Sequence, residues 1–411
     1  MVAGIRHCLR PDSGLPESLP LSTKSPYPAY STHAPPAPSE PVSVHYILRH
    51  GARYPSLSGM GQVAHIYNLL RNHVPPTWIN PDIIAAENEA MLSRTGHLET
   101  TRLAHRIAQR YPDLLSDSQN LKAVRLVTSQ LPRTIDTAKA FRHALDPNNY
   151  TPPVTVIPRA NDTTLSMKYN CPRWIAAHAQ LKPEIAHELD VFDAVYPSSL
   201  RRISHALGVA PGTLDMADIQ VIYTLCGYDA TLYGEHRHWC SLFDQQTAAL
   251  LELRSDISYS RVYGPHGGEI NSRISCVLFA EILREVDRAL HSPGRAASTF
   301  RFAHAETLMF ASNHLRLHQA LGSTDRPIAG NMTYEDSRRR GFRTSVLAPY
   351  SSNLGIEVYH AQPPARPQFR LLLNEQVVRL PGCPEDLCEL GHLRTALHSE
   401  AACDHDNLCQ I

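Results

Sequence analysis

Runs of apolar residues divide this chain into three kinds of territory. Val42-Ser43-Val44-His45-Tyr46-Ile47-Leu48 is almost continuously apolar over strand length, the pattern of a strand covered on both faces. Leu121–Ser129, Thr299–Ala303 and Gly355–Tyr359 predict further strands, and Leu371–Leu373 with Gln376–Val378 predicts a hairpin around Asn374-Glu375. Pro132, followed by Ala138, Ala140 and Phe141, predicts a helix after the second strand. Further on the period changes: Ile185 to Leu207, Met216 to Leu225 and Gln245 to Leu253 repeat at helical spacing with little strand character. The first 41 residues hold many of the 32 prolines, Pro35, Pro36 and Pro38 among them, and predict an extended arm over the surface.

Strand–loop–helix units of this kind predict an α/β fold, a mainly parallel sheet flanked by helices. Its catalytic body is expected from residues 42–145 and 261–390, with a mostly α-helical cap inserted at 146–260 after the turn cluster Asp146-Pro147-Asn148-Asn149. Residues 1–41 form the arm and 391–411 a cysteine-containing tail, and no internal repeat is visible. A site on this plan belongs in the cleft between sheet and cap, at the carboxyl ends of the strands.

Composition narrows the function classes. A chain of 411 residues, 43% of them hydrophobic, is long enough for more than one core, and no stretch approaches the length of a membrane span. A formal net charge of zero gives no bulk attraction to nucleic acid. Arg338-Arg339-Arg340 is the one tight basic run and reads as a solvated face. The nine cysteines contain no CxxC pair and read as disulfides, with Cys383/Cys388 and Cys403/Cys409 as short-range candidates. A zinc site at Cys226, His236, His238 and Cys240 is disfavoured because its ligands are more widely spaced than zinc sites usually are. Glycosylation sequons begin at Asn149, Asn161 and Asn331. Met1 to Cys8 carries no apolar run of secretory length, and no retention signal of the Lys-Asp-Glu-Leu kind ends the chain.

The candidate chemistry is concentrated in Arg49-His50-Gly51-Ala52-Arg53-Tyr54-Pro55, directly after the first strand. Two guanidiniums can grip phosphate oxygens in bidentate fashion, Gly51 lets backbone approach an anion, and the histidine between them is placed to attack phosphorus. Pro132-Arg133-Thr134 follows the second strand, and His304-Ala305-Glu306 follows Thr299–Ala303. Two other His-x-Glu pairs, His97/Glu99 and His398/Glu400, lie in helix-like stretches and read as solvated surface.

These motifs resemble the histidine phosphatase superfamily, in its acid-phosphatase and phytase branch. His-Ala-Glu in place of the commoner His-Asp, together with Ser22-Thr23-Lys24 and the segments around Trp239, Asn271 and Ala348–Leu354, is most similar to the multiple inositol polyphosphate phosphatases. The resemblance runs from about residue 21 to residue 390; Ala52 stands where animal members often have Thr. It implies a phosphohistidine mechanism with no cofactor and no metal: His50 as nucleophile, Arg49, Arg53, Arg133 and His304 on the phosphoryl oxygens, Glu306 as proton donor. Lys24 and Lys168 are candidate substrate cations. The implied substrate is phytate or a lower inositol polyphosphate, with 2,3-bisphosphoglycerate as another, and the implied compartment is the secretory pathway or outside the cell. A broad acid phosphatase, a mutase-like phosphotransferase and a catalytically silent binding or storage protein of the same fold are the alternatives. No nucleic-acid partner is expected, and the oligomeric state is open.

Overall fold

The computed structural model describes residues 18–28, 39–234, 236–291, 298–322, 326–360, 366–397 and 403–411. Eight strands, β1 (Ser43–Arg49), β2 (Arg125–Ser129), β3 (Thr155–Ile157), β4 (Thr299–Ala303), β5 (Asn353–Tyr359), β6 (Gln368–Leu373), β7 (Gln376–Val378) and β8 (Cys388–Glu389), form one sheet. Their order is β3-β2-β4-β1-β5-β6-β7, with β8 beside β6. β3, β2, β4 and β1 run parallel, and β5 begins an antiparallel edge that continues through β6 and β7. This is the α/β class expected, a mostly parallel sheet with helices on both faces.

The central strand explains why its sequence is so continuously apolar. All seven residues of β1 are buried. Val44, Tyr46 and Leu48 pack on one face against Leu103, Ile107 and Phe141, while Ile47 joins Leu278, Ile282 and Leu308 on the other. Within the run, His45 lies 3.4 Å from the Glu285 carboxylate, which also accepts from Arg301 at 2.7 Å, and its Nε2 is 3.2 Å from Ser43 Oγ. A third core contains no strand residue. It joins Ile219, Ile222, Leu225 and Leu251 to Val63, Ile66 and Leu70 of the helix Leu57–Leu70, around the fully buried Trp239. The excursion after the first motif therefore packs with the helices of residues 203–251.

Several local readings are corrected. The stretch Leu121–Ser129 is strand only from Arg125, because Asp117 caps a helix, Ser118–Ala123, by accepting from the Gln119 and Asn120 amides. Ile185 to Leu207 is two helices, Pro172–Val195 and Pro197–Ala206, with Pro197 opening the second. β3 lies in a stretch read as having little strand character; three mostly exposed residues at a sheet edge leave no apolar signature. The arm does not lie over the surface where it is described: Leu21, Ser22, Thr23 and Ser25 are buried, and Ser22–Lys24 forms a short 3-10 turn. Pro35, Pro36 and Pro38 lie outside the described residues.

The disulfides are Cys171–Cys409, Cys226–Cys240, Cys276–Cys403 and Cys383–Cys388. The Cys403/Cys409 pairing is therefore wrong. Both tail cysteines reach elements far away in sequence, which no spacing rule could reveal. Cys226 and Cys240 bond to each other instead of presenting thiolates to a metal.

Helix packing against the motif loop depends on two glycines. An added Cβ at Gly96, in the helix Arg94–Arg110, would lie 2.2 Å from Ala52 O and 2.6 Å from Ala52 N, and one at Gly51 would lie 2.5 Å from Gly96 O. Gly96→Ala is accordingly expected to push the helix off the loop. The expected cost is about 1–3 kcal/mol of stability, with kcat/KM down roughly 10- to 100-fold because the loop shifts. Denaturant unfolding together with steady-state kinetics checks this, and a variant with parental kinetics would show that the close approach is unimportant.

Candidate active site

The motif residues converge because they follow adjacent parallel strands. Arg49 ends β1 in register with Ala303 of β4, so His50 and His304 are the next residues of neighbouring strands, and their ring centroids are 5.8 Å apart. Arg133 enters from the first turn of the helix Pro132–Leu145, which follows β2 on the other side of β4. The Gly51 amide donates to Thr137 Oγ1 of that helix at 3.2 Å and ties the two loops together. All six candidate catalytic residues thus gather at the carboxyl edge of three parallel strands.

His50 is held as a neutral imidazole of defined tautomer. Burial, followed by the charges of Arg133, Arg49, Arg53 and His304, drives its pKa well below the ordinary range. Its Nδ1–H donates to Gly51 O at 2.9 Å, which places the remaining lone pair on Nε2. A neutral ring with a free Nε2 is the nucleophilic form.

The three arginines are arranged as anion ligands. Arg49 is anchored by donating from Nη1 to Thr23 O at 2.6 Å and Ala348 O at 2.7 Å, with its guanidinium 4.3 Å from the Tyr350 ring centroid. Arg53 donates to Tyr54 O at 2.6 Å. The Nε atoms of Arg49, Arg53 and Arg133 are all buried with no hydrogen-bond partner. Buried donors of that kind call for an acceptor. The mutual repulsion is visible at Arg133, whose pKa is lowered to about 10 by burial and then by Arg53.

His304 caps the helix Ala305–His314 and has its Nε2 2.9 Å from Ser129 Oγ, while its Nδ1 is buried without a partner. Burial lowers its pKa to about 3 even though Glu306 pulls the other way. The Ser129 hydroxyl can donate to Nε2, and in that tautomer the proton resides on Nδ1, free for a ligand oxygen.

Glu306 sits in the first turn of that helix, 2.8 Å from Lys168 Nζ. Burial alone would raise its pKa, but the Lys168 ammonium and His304 outweigh it and hold the carboxyl below the usual carboxylate range. Lys168 also donates to Tyr263 OH at 3.2 Å and lies 4.9 Å from that ring's centroid. Lys24 is placed differently. It lies 5.8 Å from the ring centroid of Tyr228 and 5.9 Å from that of Tyr350. Burial, then Arg53, Arg49 and Arg133, press its pKa well below the lysine range. An arriving anion would raise it again.

Lys24 and Arg53 line a cavity of about 300 Å³ whose other polar walls include Ser22, Ser58, Gln62, Gln220 and Ser255. A larger cavity, about 640 Å³ and bordered by Arg316, Arg366 and His392, shares no residue with this cluster. The one described group with metal-ligand spacing, Cys383, Cys388 and His392, contains a disulfide.

The structure thus brings together His50, Arg49, Arg53, Arg133, His304, Glu306, Lys168 and Lys24. It adds Ser129, Tyr350 and Tyr263, which the sequence did not single out as site residues and whose places there arise from tertiary contact. The reading of Glu99 as solvated surface is overturned, since its carboxylate faces the motif loop and accepts from Ser351 Oγ at 3.3 Å. The other copy, His398/Glu400, lies outside the described residues.

Comparison with known proteins follows the same lines. A family model for the histidine phosphatase superfamily (branch 2) matches residues 42–374. Multiple inositol polyphosphate phosphatase 1 of Homo sapiens is 28% identical over 375 residues, spanning 83% of this chain and 75% of that protein. The phytase from D. castellii superposes with a TM-score of 0.77 at 14% identity, over 95% of this chain and 86% of that one. The Bifidobacterium longum multiple inositol polyphosphate phosphatase, in complex with inositol hexasulfate, gives 0.69 at 17% identity, over 92% and 97%. At such identities these two superpositions speak for the fold.

Proposed function

We propose that this chain, which belongs to the histidine phosphatase superfamily (branch 2), hydrolyses phytate and other inositol polyphosphates through a phosphohistidine, without a metal. It is a phosphoric monoester hydrolase, as its phosphatase and phytase relatives are named to be. The observation that carries the mechanism is the neutral His50, with Nδ1–H bonded to Gly51 O among three guanidiniums with unpartnered Nε groups.

In this reading His50 Nε2 attacks phosphorus, while Arg49, Arg53, Arg133 and the His304 Nδ1–H receive the equatorial oxygens. Glu306 protonates the departing inositol alkoxide, then takes a proton from the water that cleaves the phosphohistidine, which returns His50 neutral. The three guanidiniums supply the charge for which other phosphatases use a metal ion. The helices of residues 146–260, with the buried arm, form the cap that selects substrate through Lys24 and Lys168. A polyphosphorylated ring is supported by the names of the relatives and by the hexasulfate bound to the bacterial neighbour. 2,3-Bisphosphoglycerate belongs to the same proposal as a second substrate. Four disulfides support an oxidising compartment, secretory or extracellular, and Asn149, Asn161 and Asn331 are all exposed there for glycosylation.

Incubation with phytate and chromatography of the products tests this reading. Release of phosphate with an ordered ladder of lower inositol phosphates supports it. Turnover of small aryl phosphates alone would favour a broad acid phosphatase, transfer without release a mutase, and neither a silent binding protein.

The pH profile has a determined sign. His50, with its depressed pKa, stays neutral below the pH at which an ordinary histidine protonates, whereas Glu306 has to gain a proton that Lys168 opposes. Activity is therefore expected to rise as pH falls below neutrality and to decline only when His50 protonates. EDTA is expected to leave the rate unchanged. Lys168→Met removes the opposing ammonium, so the alkaline limb of kcat/KM should move up by ~1–3 pH units. A limb that stays in place would show that another group sets it, and loss of activity with EDTA, restored by added metal, would end the metal-free reading.

A further inference from the structure

The Glu99 carboxylate joins three segments that are remote in sequence. It accepts Ser351 Oγ–H at 3.3 Å, and its carboxylate faces the backbone N–H groups of Ala52 in the motif loop and of Tyr27 in the arm. Ser351 in turn donates its N–H to His50 O at 3.2 Å, and Tyr350 donates its N–H to Ser25 O at 3.1 Å. Glu99 is carried by the helix that Gly96 brings against Ala52, one turn before it.

We propose that Glu99 is the positioning residue of the phosphate-binding loop. Through Ser351, which donates to His50 O, it fixes the backbone turn that follows His50, and by facing the Ala52 and Tyr27 amides it sets that turn against the arm bearing Lys24 and the segment bearing Tyr350. Loop and ligands are thereby set before substrate arrives, which is where a misplacement of an ångström is costly. The part Glu99 plays rests on its acceptor oxygens. Burial raises its carboxyl to about 7, so both protonation states occur near neutrality, and each retains an oxygen able to accept from Ser351. This inference rests on the phosphatase reading and adds to it a residue that touches neither substrate nor reacting atoms.

The test compares the full-length parent, Glu99→Gln and Glu99→Ala in aryl phosphate hydrolysis, with vanadate as a probe of the trigonal-bipyramidal state. Glu99→Ala is expected to lower kcat and weaken vanadate inhibition by about tenfold or more, with KM changed much less, as misplacement of the reacting groups requires. Glu99→Gln, which keeps an acceptor, is expected to stay within roughly threefold of the parent, the range of a retained hydrogen bond. Parental kcat and vanadate affinity in Glu99→Ala, whatever its melting temperature, overturns the inference, and so does a Gln variant as impaired as Ala. Should Glu99→Ala not fold, Glu99→Asp keeps the charge but withdraws the oxygens by a methylene. It is expected to lose about fivefold or more in kcat, and a parental kcat there overturns the inference equally. A parent that releases no phosphate would instead fail the functional reading itself.

Discussion

His50→Ala is expected to lose turnover by ~10⁴-fold or more, the scale on which an enzyme without its nucleophile operates. No neighbouring group can substitute. Each described cysteine is in a disulfide, so no thiolate among them is at hand. The Ser129 hydroxyl is held between His304 Nε2 and Thr134 Oγ1, at 2.9 and 3.1 Å. The substitution should spare the fold, because the ring's one hydrogen bond is to the carbonyl of the next residue. Quenching the parent with labelled substrate at neutral or alkaline pH should trap a phosphoryl group that is stable to base and labile to acid, as a phosphoramidate is. An acid-stable adduct, or a variant within tenfold of the parent, would remove His50 from the nucleophile's place.

The next largest effect is expected at Glu306, and there the leaving group is the diagnostic. An inositol alkoxide departs poorly without a proton, whereas an aryl oxide departs on its own. Glu306→Gln should therefore slow phytate hydrolysis by ~10²–10⁴-fold, the usual worth of general acid catalysis, and slow an activated aryl phosphate far less. The Lys168 pairing makes this test more demanding. In the free protein it keeps Glu306 ionised, so the proton has to be taken up once the substrate's negative charge engages Lys168 and raises the carboxyl's pKa. Equal loss on both substrates would make Glu306 a partner of Lys168 in binding instead of the acid.

The parts of this protein that could be read from sequence are those where chemistry is contiguous with secondary structure. Arg49 to Arg53 directly follows an apolar strand, Arg133 begins a helix, and His304 to Glu306 leaves another strand, so a parallel sheet brings them together with no further information. What stayed hidden depends on long-range contact. Glu99 occupies a helix with polar neighbours, and nothing in its spacing reveals that Gly96 presses that helix onto Ala52. Leu21 to Ser25 sits in a proline-rich stretch that reads as an external arm, yet Thr23 O is one of the two carbonyls that hold Arg49. The tail cysteines pair with Cys171 and Cys276 across 238 and 127 residues, distances at which local spacing has no bearing. β3 is too short and too exposed to carry an alternation.

The position of β4 has a consequence for how the protein comes into being. β4 lies between β2 and β1 and hydrogen-bonds to both, although it follows them in the chain by well over a hundred residues. Until Thr299–Ala303 has left the ribosome, the first two strands have no common neighbour, and His50 has neither His304 nor Glu306 beside it. Tyr350 and Ala348, which hold Arg49, arrive later still. On the proposed mechanism, the site is thus incomplete through most of the chain's synthesis. Completing it requires a late strand to insert between two earlier ones, and the segment that holds Arg49 to follow.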